Sequence, residues 1–182
     1  MLATAEQLAR EGQNRVTFRD LHFLRGEWYS RQGDWRLAAE SLGEAVRLAR
    51  EVGQRNASAE AGLVLARFHL REVADAPAVA AALAAEREVA HRPLAALFLA
   101  LGDRAAAEKH ALAAYKDAWA DGEPFVHRYE LTEASALLGR LAVAVPDLPV
   151  FDPAAVEEIP YEAEIVGAIA AARAERGKKK RR

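Results

Sequence analysis

The sequence predicts an all-α chain of antiparallel helical hairpins stacked side by side. Three observations predict it. Apolar residues recur at i, i+3, i+4 spacing, with no alternating strand pattern beside them. The composition is 52% hydrophobic and rich in alanine, which favours close-packed helices over sheets. The stretch from Gly26 to Ala45 reads as helix, turn and helix, and a second Gly-Asp turn, Gly102-Asp103, follows later in the chain.

Residues 2 to 11 read as a helix with Leu2, Ala5, Leu8 and Ala9 on one side and Glu6 placed to pair with Arg10. Leu8-Ala9-Arg10-Glu11 recurs as Leu48-Ala49-Arg50-Glu51, forty residues on, so the chain begins as if near the end of a repeat. That suggests a segment of a longer protein, or an array with one capping helix, and an apolar end face in need of cover.

Thr17 and Asp20 resemble a capping pair, so the first full hairpin is expected from about Thr17 to Glu51. Its first helix ends at Arg31-Gln32, Gly33 relieves the backbone at the turn, and Asp34 caps a second helix that starts at Trp35. Gly26, Ala38 and Ala45 allow the two helices to approach closely, while Tyr29, Trp35 and Leu42 fill the space between them. A single hairpin buries too little to stand alone.

Gly26, Tyr29, Gly33-Asp34-Trp35, Ala38, Leu42 and Ala45 together resemble the tetratricopeptide repeat. The family's pattern is a small residue, an aromatic three positions later, a turn, then alanine and a large residue on the second helix. His22 and Arg25 stand where the family has its early tryptophan and leucine, and no proline follows Ala45. The departure points to a longer repeat of about forty residues, as in the helical arms of bacterial multidomain signalling proteins. The resemblance implies a right-handed superhelix whose first helices line a concave face.

Gly53 ends the first hairpin, and Asn56 or Ser58 caps the next helix, which carries Leu63, Leu65, Ala66, Phe68 and Leu70. Asp75 caps its partner with Pro77 in the first turn, and the alanine-rich run to Ala90 is expected to pack closely on both sides. A third hairpin, from Pro93, repeats the pattern at Ala95, Phe98, Gly102-Asp103, Ala107 and Ala114, only 29 residues after the second. A further helix is expected from Val126 to Leu141, which takes the array to residue 144. Four prolines, Pro146, Pro149, Pro153 and Pro160, then mark an extended strap over 145–160 expected to lie against the helices. Tyr161 to Arg176 read as a last, capping helix, and a disordered basic tail is expected from Gly177.

The net charge of -2 conceals an asymmetry: the five basic residues 178–182 account for +5, so the remainder carries -7. An acidic body argues against a nucleic-acid surface, and the isolated basic tail reads as a solubilising end. The absence of cysteine excludes disulfides and thiolate chemistry. The first thirty residues lack a secretory apolar run, and no stretch approaches a membrane span, so a cytoplasmic location is expected. Lys109 and Lys116 are the only lysines outside the tail, an arginine bias in keeping with a high-GC bacterial gene.

No catalytic constellation emerges. The five histidines lack the i, i+4 spacing of a helical metal site, and no Gly-rich phosphate loop follows a strand, so no cofactor and no enzymatic activity are expected. His127-Arg128-Tyr129-Glu130 is chemically rich, but in a helix its side chains point to different faces. His69 stands at the repeat's aromatic position, and Trp35 there reads as packing, whereas Trp28 and Trp119 are candidates for either packing or a partner.

The family phase places Phe23, Glu27, Ser30 and Arg31 on the concave face of the first hairpin, and Leu63, Arg67, Leu70 and Arg71 on that of the second. Phe23, Glu27, Arg31, Leu63, Arg67 and Arg71 are therefore the candidate partner-binding residues. Arg31 and Arg71, one repeat apart, would offer two guanidinium groups to an acidic or C-terminal carboxylate ligand. A chaperone-tail clamp is disfavoured, because Phe23 and Glu27 occupy positions where it needs lysine and asparagine. The function these readings predict is a protein- or peptide-binding scaffold, with self-association possible. The alternative is a C-terminal sensor or regulatory arm of a larger bacterial signalling ATPase.

Overall fold

The computed structural model describes residues 15–150, 152 and 161–179. Among these the chain is all-α: α1 (Arg15–Gln32), α2 (Trp35–Glu51), α3 (Ala57–His69), α4 (Ala76–Ala84), α5 (His91–Leu101), α6 (Arg104–Trp119), α7 (Arg128–Arg140) and α8 (Glu162–Lys179). The chain divides into one unit ending at Pro149 and a second beginning at Val150. No helix among the described residues is long and apolar enough to cross a membrane.

In the first unit α1 neighbours α3, α3 neighbours α5, and α5 neighbours α7, while α2, α4 and α6 each pack against the two helices they connect. Local sequence builds the corners. Asp34, Asn56, Asp75 and Asp103 each accept a hydrogen bond from the backbone N–H three residues on. Each such cap is worth about 1 kcal/mol. Gly33 and Gly102 close α1 and α5 in the left-handed region, with φ of 75° and 81°.

The core is made of small residues closed by a few large ones. Leu42, buried with Ala45, Val46 and Ala59, is wedged between α1 and α3. A Cβ built on Gly26 would stand 2.4 Å from Leu42 Cγ, and one on Gly62 would stand 3.2 Å from Leu42 Cδ1. A larger cluster joins α3 to α7 through Leu94, Leu97, Phe98, Tyr115, Leu138 and Leu141. Val143 and Leu148 pack on it, and Trp119 Nε1 donates to the Pro149 carbonyl at 2.8 Å, so the first part of the proline-rich segment lies against the helices. The expectation that Phe151 and Ile159 do the same lies outside the described residues, as does the helix expected over residues 2–11.

Several expectations are corrected. Thr17 and Asp20 lie inside α1, which already runs from Arg15, so they do not cap it. α4 ends at Ala84 rather than at Ala90, where the charged Glu86-Arg87-Glu88 follows. Only Ala76 and Ala80 of α4 are buried, because its nine residues press one face on α3 and α5 and leave the other open. α5 begins at His91, with Pro93 tolerated in its first turn. α7 is shorter than Val126–Leu141, since His127 stands at its N-cap. In the second unit α8 continues to Lys179, so Gly177 lies within the helix. Ile165, Val166 and Ile169 of α8 are exposed.

His110 is the buried polar side chain among the described residues. Its Nδ1 lies 2.8 Å from that of His91, so one ring donates and the other accepts, and Phe98 stacks on it. Burial lowers the His110 pKa, and the positive charge that His91 and Lys109 would place beside it adds to the effect. His69, stacked on Trp35 with ring centroids 3.9 Å apart, is lowered by burial as well.

Two measurements test this packing. Gly26→Ala is expected to lower stability in urea unfolding by about 1–2 kcal/mol, because overpacking against Leu42 exceeds the helix-propensity gain. Gly62→Ala, with its wider clearance, is expected to stay within about 0.5 kcal/mol of the parent. A histidine held neutral by the fold takes up a proton more readily once unfolded. Stability should therefore be complete above pH ~6.5 and fall as the pH drops from there through the folded pKa. His110→Gln, measured by unfolding at pH 7.5 and pH 5.5, should flatten that fall; an unchanged slope would remove His110 as its source.

Candidate functional site

Helices α1, α2, α3, α5 and α7 line a cleft of about 560 Å³. α1 supplies Glu27, Ser30 and Arg31, which lie within one helical turn and a half and so share a face. α2 contributes Trp35 and Leu42, α3 contributes Gly62 and Leu65, and α5 contributes Arg92, Pro93 and Ala96. Glu133, Ala136, Leu137 and Arg140 of α7 complete it. The floor is thus apolar and the walls carry charge. This volume suits a few side chains of a peptide or a small ligand.

The charges form two linked groups. Arg92 donates from Nη2 to Glu27 at 2.6 Å and from Nε to Glu130 at 2.5 Å. Arg31 pairs with Glu133 at 2.9 Å, donates to the Tyr129 hydroxyl, and lies 5.0 Å above the Tyr129 ring. The Tyr129 hydroxyl donates in turn to Glu27 at 3.3 Å, which joins the groups. Burial disfavours the charge on Arg92, but Glu27 and Glu130 outweigh it and hold the guanidinium above its ordinary pKa. Burial followed by the Glu27 charge raises the Tyr129 pKa, against the pull of Arg31 and Arg92.

The two ion pairs differ in strength. The Arg92 and Glu27 side chains are only 16% and 13% exposed, whereas those of Arg31 and Glu133 are 42% and 31% exposed. Solvent screens the second pair and leaves it worth about 0–1 kcal/mol. Loss of one partner from the first strands a poorly solvated charge, at a cost of several kcal/mol.

The sequence-derived candidates separate. Glu27 and Arg31 line the cleft, as does Ser30. Phe23 and Leu63 instead pack against the cluster of Leu42, Ala45, Val46 and Ala59. Arg67 is exposed beside Leu63 in a different, open depression with Arg47 and Arg50. Arg71 lies past the end of α3 with φ of 60°, where its N–H bonds the Phe68 carbonyl and that of Glu72 bonds the Arg67 carbonyl. That is the same helix-ending turn that Gly33 makes after α1. It arrives two residues earlier than a forty-residue repeat would place it, so Arg31 and Arg71 do not share a groove.

Sequence reasoning missed Trp35 as a wall residue, along with Leu65, Arg92, Tyr129, Glu130, Glu133 and Arg140. One signal existed. Carried by forty and then by 29 residues, the position of Glu27 reaches Ala96, a residue of the cleft floor. In the run His127–Glu130 the side chains do diverge: Arg128 pairs with Glu123, while Tyr129 and Glu130 turn to the network. Of the other tryptophans, Trp28 is exposed and Trp119 packs against the core.

Arg92 also borders a smaller cavity of about 260 Å³ with His91, Asp117, His127 and Glu130. Among the described residues no group of three or more histidine or carboxylate side chains converges as a metal site. Comparison of the chain with protein-family models, curated proteins and solved structures finds no match in any of the three.

Arg92→Met should cost about 2–4 kcal/mol in chemical unfolding, because Glu27 loses its main counter-charge. Arg31→Met, which opens only the screened pair, should cost less than about 1 kcal/mol. Equal losses for the two would contradict the division between them.

Proposed function

We propose that the chain is a protein-binding scaffold whose hairpins stack in the manner of tetratricopeptide repeats, as a right-handed superhelix, and that it holds a peptide segment of a partner in its cleft without chemistry of its own. One observation carries the reading: the four helices α1, α3, α5 and α7 converge on a cleft with an apolar floor and charged walls. An apolar floor favours side-chain burial, and charged walls orient a backbone or select a sequence. Glu27 and Arg31 remain the sequence-derived residues best placed for contact, and the location proposed is cytoplasmic.

A second reading, a sensor or regulatory arm of a larger signalling ATPase, draws on a different observation. Val16, Leu24 and Trp28 are exposed along α1, a face suited to a neighbouring unit.

The scaffold reading is tested by affinity capture from source-cell lysate with mass spectrometry. Ala96→Trp, which fills the floor, and Arg31→Glu, which alters the wall, should each remove at least tenfold of a specific partner. Arg71→Glu, outside the cleft, should retain it. A partner captured equally by all three variants would move binding away from the cleft.

A further inference from the structure

We infer that Glu133 is an internal occupant of the place on Arg31 that a ligand carboxylate takes, so that the cleft accepts an acidic, partly apolar peptide segment by exchange of one ion pair for another. The inference rests on the scaffold reading and specifies its partner.

Charge is the first argument. The cleft lining contains two carboxylates, Glu27 and Glu133, and three guanidinium groups, Arg31, Arg92 and Arg140. Glu130, beside the cleft, brings the carboxylates of the network to three, but it and Glu27 are both taken by Arg92, which leaves Arg140 without a counter-charge. Arg140 is exposed and forms no ion pair among the described residues. An anionic segment is therefore favoured over a basic one.

Exchangeability is the second. Glu27 and Arg92 are shielded from water and hold each other, so a ligand cannot displace either without stranding a charge. The Arg31–Glu133 pair is half-open to solvent, and its carboxylate can turn outward and be hydrated. When Glu133 leaves, Arg31 keeps its position, because the Tyr129 ring and hydroxyl hold the guanidinium. The receiving group is thus oriented before the ligand arrives.

Spacing is the third. Glu133 and Arg140 lie seven residues apart on α7, on the same face and separated by roughly 10 Å along the axis. An extended peptide covers that distance in about three residues. Side chains of an extended peptide alternate between faces, so two ligand carboxylates four residues apart share a face and can reach Arg31 and Arg140 through their flexible side chains, with the apolar side chain midway between them on Leu65, Ala96 and Leu137.

The test is fluorescence anisotropy at low salt with fluorescein-labelled decapeptides in which leucine stands midway between two glutamates four residues apart, or between serines or lysines at the same positions. The glutamate peptide should bind the intact chain most tightly. Glu133→Gln, which removes the internal competitor and leaves the fold in place by its melting curve, should tighten that binding by about two- to fivefold. Arg140→Gln and Arg31→Gln should weaken it at least threefold, and Arg71→Gln, outside the cleft, should leave it unchanged. Unchanged or weaker binding by Glu133→Gln, or preference for the serine or lysine peptide, overturns the inference while the scaffold reading stands. If none of the peptides binds, both fall. Should Glu133→Gln fail to fold, Arg31→Gln and Arg140→Gln decide alone, and binding unchanged by both overturns the inference.

Discussion

The first unit depends on how Leu42 is seated. Its side chain fills the space opened by Gly26 on α1 and approached by Gly62 on α3, and it is almost fully buried. That contact sets the depth to which α2 enters between its two neighbours. It also determines how closely α1 and α3 lie side by side, and the same leucine forms part of the cleft floor. Close-packed interiors transmit such displacements, since there is little free volume to absorb them. Packing of one hairpin and the shape of the cleft would ordinarily be separate matters; here one side chain serves both.

Charge does at longer range what Leu42 does at short range. α1 makes no close backbone approach to α5 or α7, yet Glu27 and Arg31 reach both through Arg92, Tyr129 and Glu133. Helices α1, α5 and α7 are therefore tied together by side chains. The tie has a shielded half and a solvated half, and the two respond differently to salt and to competing ions.

The paired histidines belong to a third level. His110 is buried against Phe98 and joined to His91, so the α5–α6 hairpin carries a titratable pair within its packing. Burial, with His91 and Lys109 beside it, disfavours the charged form of His110.

Helix identity, the Gly-Asp corners and the small residues at close approaches were legible in the sequence, because each depends on neighbours within a turn or two. Asp34, Asp75 and Asp103 cap their helices where local chemistry places them, and Gly33 and Gly102 take the left-handed backbone that a sharp helix end requires. Of the residues expected on one shared face, Glu27 and Arg31 line the cleft, whereas Phe23, Leu63, Arg67 and Arg71 lie elsewhere. The forty-residue offset assumes that every helix ends at the same point in its repeat, and α3 ends early. A shift of two residues turns a helical face by about 200°, so Arg71 leaves the groove altogether. The convergence of Arg92, Tyr129, Glu133 and Arg140 on residues of α1 was decided by tertiary structure alone. Arg92 and Tyr129 lie 65 and 102 residues from Glu27 in the hydrogen bonds that join them, and only the stacking of the helices brings them within reach.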